Sequence, residues 1–212
     1  MYCYFKELYK NYPELKRISG EIEYAFNLIK ESLENGGTLF VCGNGGSASD
    51  AEHIVGELMK NFIIQRKHGN GVKNKLCDMY GTNDGEFITS RLQPGIRAYA
   101  LSSHPSFLSA YSNDVDPEFV FAQQLFVMGK KYDILLGIST SGNSENIFRA
   151  FQTAAYLDMK TILLTGKNGG KCSEISDISV KVDKSEIFRI QEYHLPIYHA
   201  LCASLEEYFY GK

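Results

Sequence analysis

Short runs of apolar residues recur along the chain, and most are followed by a segment with helical spacing. The strand-like runs cover residues 38–42, 96–101, 133–139 and 161–165, with a weaker run at 178–182. The spacing predicts helices that begin near residues 47, 104, 116, 144 and 170, and a last helix over 186–210. Strands that alternate with helices form right-handed βαβ units around a parallel sheet. Because the runs at 134–138 and 161–164 are almost entirely apolar, we predict a three-layer α/β/α sandwich with a mostly parallel sheet.

Two segments lie outside this alternation. Residues 1–36 are predicted to form an N-terminal helical segment that Pro13 interrupts, because apolar residues keep helical spacing up to the Asn35-Gly36-Gly37 stop. Residues 66–95 form a polar insertion rich in charge and glycine, to which the pattern assigns no secondary structure. Since long irregular connections are usually functional or disordered, we expect an ordered lid or an intersubunit flap, with a floppy insertion as the alternative.

Composition narrows the class of protein. The 212 residues are 44% hydrophobic, which suffices for one core, so we predict a single domain over 1–212. The net charge is -3 and both signs are interspersed, so no nucleic-acid partner is expected. With no signal-peptide pattern and no apolar run long enough for a membrane span, we expect a cytoplasmic protein without a membrane partner. The five cysteines are scattered and form no CxxC motif, which argues against disulfides and thiolate zinc clusters.

Two turns after predicted strands have chemistry suited to phosphate. The first, Gly43-Asn44-Gly45-Gly46-Ser47, combines glycines that allow close backbone approach with Ser47, which is predicted to cap the next helix with Asp50 as its partner. Ordinary helix capping explains this turn equally well.

The second turn carries the stronger signal. Ser139, Thr140, Ser141 and Ser144 bring four hydroxyls to the start of a helix, where backbone N–H groups and the helix dipole favour a dianionic phosphate. One helix cap does not need four hydroxyls. The chain has no P-loop lysine motif and no GxGxxG fingerprint, so a phosphomonoester such as a sugar phosphate is favoured over a nucleotide.

His53 and Glu57 lie four residues apart on the helix that follows the first turn, so they share one helix face. An imidazole beside a carboxylate suits a metal site or an acid–base pair, and a surface salt bridge is the alternative. His104 and His194 are interpreted as structural hydrogen-bonding residues, and His68 is expected to be exposed.

Taken together, five motifs resemble those of the sugar isomerase (SIS) domain family, and within it the phosphoheptose isomerases, also called sedoheptulose 7-phosphate isomerases. The matching segments are CGNGGSASDAEHIVGEL from Cys42, SNDVD from Ser112, LLGISTSGNSENI from Leu135, ILLTGKNGG from Ile162 and RIQEYHLPIYH from Arg189. They span most of the chain. The STSGNS motif indicates any SIS domain, whereas His53 and Glu57 together with Gln191 and His199 are much more specific.

The resemblance implies roles for individual residues. Glu57 matches the catalytic base and His199 the catalytic histidine, while His53, Glu57, Gln191 and His199 match the ligands of one zinc ion. The implied substrate-binding residues are Asn44, Gly45, Gly46, Ser47, Asn113, Asp114, Ser139, Thr140, Ser141, Ser144 and Gln191. The implied reaction converts sedoheptulose 7-phosphate to D-glycero-D-manno-heptose 7-phosphate through an enediol, in a homotetramer. Non-catalytic SIS proteins, including a bacterial replication-initiation regulator, lack the glutamate, so Glu57 favours an enzyme.

Helix geometry adds a prediction about assembly. Gln191 and His199 are eight residues apart, about 12 Å along a straight helix. Both can bind one ion only if a side chain is long, if the helix is distorted, or if they come from separate chains. Pro196 lies between them and could kink the helix. We therefore predict active sites at subunit interfaces.

Three departures from the family pattern leave the exact sugar open. Asn61, preceded by Lys60, stands where the family usually has arginine, and Phe188 stands where a polar residue is common. The insertion at 66–95 is also longer than usual. An isomerase of another phosphosugar and a non-catalytic phosphosugar-binding or regulatory protein therefore remain as alternatives.

Overall fold

A five-stranded parallel sheet forms the centre of the protein, and the computed structural model describes residues 2–211. The strands are β1 (Leu39–Gly43), β2 (Ala98–Ala100), β3 (Ile134–Ser139), β4 (Lys160–Thr165) and β5 (Ile178–Lys181). They are ordered β2-β1-β3-β4-β5, and every neighbouring pair is parallel. All the predicted strands are confirmed, with ends shifted by one or two residues.

Helices connect the strands and flank the sheet. They are α1 (Cys3–Asn11), α2 (Ser19–Glu34), α3 (Gly46–Met59), α4 (Asn70–Tyr80), α5 (Thr82–Arg91), α6 (Pro105–Asp114), α7 (Val120–Met128), α8 (Glu145–Tyr156), α9 (Cys172–Ile175) and α10 (Ile187–Tyr210). The interruption predicted at Pro13 is a 3₁₀ helix over Pro13–Ile18. Within residues 2–211, none of these helices has the length and hydropathy needed to cross a membrane.

The two faces of the sheet carry separate cores. Leu39 and Val41 point into a core shared with α1, α2, α3 and α10, whereas Phe40 and Cys42 point into a core formed with α7 and α8. This alternation follows from the period of two along a strand. Because β1 is buried at every position, it reads as a continuous apolar run in the sequence. The three-layer α/β/α sandwich is confirmed.

The strand order creates a crevice between β1 and β3. From β1 the chain moves to β2 on one side and later returns to β3 on the other, with Gly43 paired in register with Ile138. Ligands of open parallel sheets bind at such a switch point, outside the carboxyl ends of the strands. The glycine-rich turn after β1 and the hydroxyl-rich turn after β3 both lie at this edge.

The insertion is not an irregular loop, as the sequence pattern suggested, but a helical hairpin formed by α4 and α5. Gly81, at φ 83°, joins the two helices, and Gly85 packs so closely that a Cβ there would lie 2.5 Å from the backbone of Cys77. Gly85 is also the only buried residue of the two helices. With almost no buried apolar face, the segment lacks the amphipathic pattern by which helices are recognised in a sequence.

Candidate active site

The turn after β1 brings backbone close to the crevice. Gly45 takes a positive φ of 55° and is the N-cap residue of α3, without a side-chain cap. The prediction that Ser47 caps the helix was therefore wrong. Ser47 lies inside the first turn and is buried, because its backbone packs under Gly43, where a Cβ would come within 2.3 Å of the Ser47 carbonyl oxygen. Asp50 is likewise not a capping partner, since its carboxylate accepts a hydrogen bond from Tyr198.

The side chain of Asn44 crosses the crevice. Its amide nitrogen donates to Oδ1 of Asn146 at 2.9 Å, and the amide nitrogen of Asn146 donates back to Oδ1 of Asn44 at the same distance. This reciprocal pair ties the end of β1 to the first turn of α8. Asn146 was not among the predicted site residues, since its role depends on a contact between segments 102 residues apart.

Ser139, Thr140, Ser141 and Ser144, here called the hydroxyl cradle, lie between the end of β3 and the start of α8. The hydroxyls of Ser139 and Ser144 are 3.0 Å apart, and the N–H of Gly142 donates to Oγ of Ser139 at 3.1 Å. Ser144 is the N-cap residue of α8, but its side chain makes no capping hydrogen bond. The first N–H groups of α8 therefore lack a side-chain acceptor from the cap, as an anion site at a helix N-terminus requires.

The loop after β4 packs against the hydroxyl cradle and donates hydrogen bonds to it. The N–H of Cys172 donates to the carbonyl of Gly142 at 2.9 Å, and the N–H of Lys171 donates to Oδ1 of Asn143 at 3.1 Å. The ammonium of Lys171 pairs with Glu145 in the first turn of α8. Gly142 needs its positive φ of 66° and its missing side chain, because a Cβ would overlap the carbonyl of Gly169.

His53, Glu57 and His199, here called the acid–base cluster, meet at the junction of α3 and α10. Nε2 of His53 lies 3.3 Å from Oε1 of Glu57 and 3.4 Å from Nε2 of His199. The Glu57 side chain is only 15% exposed, whereas that of His53 is 42% exposed. Burial, and then the nearby His53, lower the pKa of His199, while Glu57 opposes part of this effect. A neutral imidazole beside a shielded carboxylate is suited to proton transfer.

Lys60 is a further charge at this cluster. Its ammonium lies 3.2 Å from Oε2 of Glu57, on the other oxygen from the one that faces His53. Asn61, next along the chain, is held by a different contact, since its Oδ1 accepts a hydrogen bond from the N–H of Arg66 at 3.0 Å.

A fully buried ion pair holds the end of α3. Nε of Arg66 lies 2.7 Å from Oε1 of Glu206, and both side chains are 0% exposed. The guanidinium also donates to the carbonyls of Leu58 and Glu57, at 2.6 and 3.0 Å. Burial alone would raise the pKa of Glu206, but the N–H groups of residues 62–64, together with Arg66, outweigh it and lower that pKa. The pair was missed in the sequence because its members are 140 residues apart.

The structure does not bring all the predicted ligands together. Gln191 lies against the glycine-rich turn after β1, where a Cβ on Gly46 would come within 2.7 Å of the Gln191 Nε2 atom. Within residues 2–211, no group of three or more His, Cys, Asp or Glu side chains is arranged to hold a metal ion. In the acid–base cluster, the 3.3 Å separation to Glu57 and the 3.4 Å separation to His199 are both measured from Nε2 of His53. The four predicted ligands therefore do not surround one point within a single chain. This agrees with the eight-residue spacing of Gln191 and His199 along α10.

Asn113 and Asp114 belong to neither turn. They end α6 and are exposed, and the side-chain amide of Asn113 donates to Oδ1 of Asp114 at 2.8 Å. In the described chain, no other side-chain hydrogen bond involves either residue. Their predicted contact with a sugar stays a prediction.

The remaining histidines are outside the site. His104 is within 2.8 Å of the Tyr99 hydroxyl, which agrees with a structural role. His194 is a fully buried residue of α10, and neither ring nitrogen has a side-chain hydrogen-bond partner in the part of the chain that is described. His68 is half-buried rather than exposed.

Comparisons with known proteins agree with the motifs and the geometry. Residues 3–72 match the family described as SIS domain. The phosphoheptose isomerase of Helicobacter pylori is 37% identical over 198 residues, covering 93% of this chain and 89% of the relative. That of Campylobacter jejuni is 36% identical over 205 residues, covering 97% and 96%. The solved structure of a phosphoheptose isomerase from Francisella tularensis superimposes with a TM-score of 0.77 at 32% identity, covering 96% and 95%. The chain therefore belongs to the phosphoheptose isomerase family of SIS-domain enzymes.

Proposed function

We propose that this enzyme converts the ketose sedoheptulose 7-phosphate to the aldose D-glycero-D-manno-heptose 7-phosphate. The observation that carries the proposal is the acid–base cluster, in which a shielded Glu57 carboxylate meets His53 and His199 in a chain of this family. The glutamate distinguishes an enzyme from a SIS protein that only binds its ligand.

Glu57 is the base. It takes the proton from C1 of the open-chain ketose and returns it to C2 on the same face, through a cis-enediol. A carboxylate performs both halves of this transfer when it lies within hydrogen-bond reach of both carbons and is shielded from water. The low exposure of Glu57 supports this shielding, and Lys60 balances its charge between turnovers.

His199 moves protons between the two oxygens. A proton must reach O2 as the enediol forms, and another must leave O1 as the enediol collapses to the aldehyde. Because burial lowers the pKa of His199, its imidazole is neutral near pH 7 and can accept one proton and give it back.

The hydroxyl cradle binds the phosphate at the far end of the sugar. Four hydroxyls and the free N–H groups at the start of α8 supply neutral donors and a favourable dipole. Asn44, Gly45, Gly46, Ser47 and Gln191 lie on or against the first turn and are assigned to the sugar chain, with Asn113 and Asp114 as further contacts. Binding energy at the phosphate then positions C1 and C2 at Glu57.

We also propose one zinc ion, held by His53, Glu57, His199 and Gln191. Separations of 3.3 and 3.4 Å between donor atoms match those of neighbouring ligands on a tetrahedral zinc ion with bonds of about 2.0–2.1 Å. When bound, the ion polarises the carbonyl and hydroxyl oxygens of the sugar. The eight-residue spacing of Gln191 and His199 along α10 supports a homotetramer with active sites at subunit interfaces, where another chain supplies part of the site.

The location is proposed to be the cytoplasm. All five cysteines are free thiols, as a reducing compartment would keep them.

A second candidate is an isomerase of a different phosphosugar. Asn61 accepts a hydrogen bond from the Arg66 backbone, and the exposed Lys60 pairs with the Glu57 carboxylate. An amide at position 61 in place of an arginine would change the charge available to the sugar while leaving Glu57 in place.

NMR spectroscopy of sedoheptulose 7-phosphate incubated with the enzyme in D₂O tests the proposal. We expect signals of the aldose heptose phosphate, and deuterium at C2 reports how far Glu57 exchanges with solvent. A panel of pentulose, hexulose and heptulose phosphates, each with and without zinc, separates the two candidates. Thermal stabilisation by these sugars without any conversion would instead indicate a binding protein.

A further inference from the structure

Tyr198 joins the acid–base cluster to Asp50, a half-buried carboxylate that the reaction does not use. Its ring is 1% exposed and packs edge-on against both imidazoles, with centroids 5.6 Å from His53 and 5.0 Å from His199. Its hydroxyl oxygen lies 3.1 Å from Oδ1 of Asp50 and 3.1 Å from Nδ1 of His53.

The hydroxyl has a single proton, so it can donate to only one of these neighbours. An ionised carboxylate accepts a hydrogen bond about twice as strong as one accepted by a neutral group, and it has no proton to give. The proton of Tyr198 therefore points to Asp50.

The remaining lone pair of the Tyr198 oxygen then faces Nδ1 of His53. A bare ring nitrogen at 3.1 Å would set two lone pairs against each other, whereas a protonated Nδ1 makes a hydrogen bond. On the opposite side of the ring, Nε2 faces the Glu57 carboxylate and Nε2 of His199. That side needs a cation, either a proton or a metal ion.

We propose that Tyr198 and Asp50 are positioning residues that keep the proton of His53 on Nδ1. Nε2 is then the only nitrogen of this ring that changes its state, by binding a proton or the metal. A histidine ligand commonly has its other nitrogen fixed by such a partner, which sets its tautomer and orientation. The role of His53 in this inference rests on the proposed function. The test below does not, because it measures only where the His53 ring carries its proton.

The test is the protonation of the His53 ring in chelator-treated, metal-free enzyme, measured by two-bond ¹H–¹⁵N NMR at pH 8.5. The His53→Gln variant assigns the signals. We expect a protonated, pyrrole-like Nδ1 in the wild type.

In Tyr198→Phe the ring loses the Tyr198 hydroxyl oxygen as the acceptor for Nδ1. Glu57 then holds the proton on Nε2, and Nδ1 becomes pyridine-like. Asp50→Ala lets Tyr198 donate to His53 and gives the same change. Tyr9→Phe, at a buried tyrosine on α1, leaves the His53 signals as they were.

A pyridine-like Nδ1 in the wild type, or an Nδ1 that stays protonated in both Tyr198→Phe and Asp50→Ala, would overturn the inference. Zinc affinity, measured by competition with a chelating dye, is expected to fall about 10–100-fold in Tyr198→Phe. If the wild type binds no zinc or converts no sugar, the proposed function fails, while the NMR signals still decide the role of Tyr198.

Discussion

The acid–base cluster and the hydroxyl cradle lie at the same edge of the sheet but are built differently. The cradle comes from six consecutive residues, Ser139 to Ser144, and its inner hydrogen bonds join neighbours in the chain. The cluster joins α3 to α10, and the buried Arg66–Glu206 pair connects the same two elements. In the proposed roles, phosphate binding would thus depend on local turn chemistry, whereas proton transfer would depend on long-range packing. Substitutions that separate the two should change binding and turnover independently.

The largest effect is expected at the centre of the cluster. Glu57→Gln keeps the size of the side chain but removes the base, so kcat should fall by about 10²–10⁴-fold. Circular dichroism should report an unchanged fold, and phosphosugar binding should persist because the hydroxyl cradle is intact. Glu52→Gln, an exposed change on the same helix, is the matched control. Turnover retained in Glu57→Gln would remove Glu57 from the mechanism.

The support of the cluster gives the next largest effect. Arg66→Ala leaves the Glu206 carboxylate buried without its cation, which should lower the free energy of unfolding by about 3–5 kcal/mol. Lys73→Ala breaks an exposed ion pair with Glu86 and should cost much less, because solvent screens exposed charges. Urea unfolding of both variants checks the difference. Equal losses would mean that the buried pair does not support the end of α3.

The local region of this site could be predicted from the sequence, and the region built by long-range contacts could not. The hydroxyl cradle was predicted residue by residue, because a strand, a Ser/Thr/Gly turn and a helix start leave a local pattern. His53 and Glu57 were paired by their spacing on one helix. Arg66, Glu206, Tyr198 and Asn146 were missed, because their partners are more than 100 residues away. Nothing local distinguishes them from surface residues.

Two errors have local causes. Ser47 is a residue type typical of helix caps, but the N-cap is Gly45, so α3 starts two residues earlier than a Ser47 cap would place it and Ser47 is buried. The hairpin over 70–91 was not recognised as helical because its stability comes from contacts between its two helices, such as the Gly85–Cys77 approach, rather than from an apolar face.

Acid should weaken the α10 side of the molecule through His194. Burial lowers its pKa from 6.5 to about 4, although the nearby Thr165 backbone opposes part of the shift. Between these values the unfolded chain binds the proton more readily than the folded one, so stability falls as the pH drops from 6.5 towards 4. From pH 7 to pH 4.5 this amounts to about 2–3 kcal/mol. Urea unfolding at both pH values should show a smaller loss in His194→Leu, and an identical loss would assign the acid sensitivity to other groups.

In the hydroxyl cradle the effect should fall on binding. Ser141→Ala removes one donor to a charged phosphate, worth about 1.5–3 kcal/mol, so KM should rise about 10–100-fold while kcat stays within a factor of a few. Steady-state kinetics with the heptulose phosphate separate the two constants, and Ser109→Ala, at an exposed serine on α6, is the control. A fall in kcat at unchanged KM would contradict the separation between cradle and cluster.

The smallest effect is expected where the two regions are tied together. Asn146→Ala leaves Asn44 without its reciprocal hydrogen bonds across the crevice. Because both amides are exposed, the free energy of unfolding should fall by only about 0.5–1.5 kcal/mol. KM should nevertheless rise, since Asn44 loses the orientation that presents it to the sugar. Asn35→Ala, which removes an exposed side-chain hydrogen bond at the end of α2, is expected to cost similar stability without changing KM. If KM is unchanged in Asn146→Ala, the amide pair only joins two elements of the fold, and the two regions act independently of it.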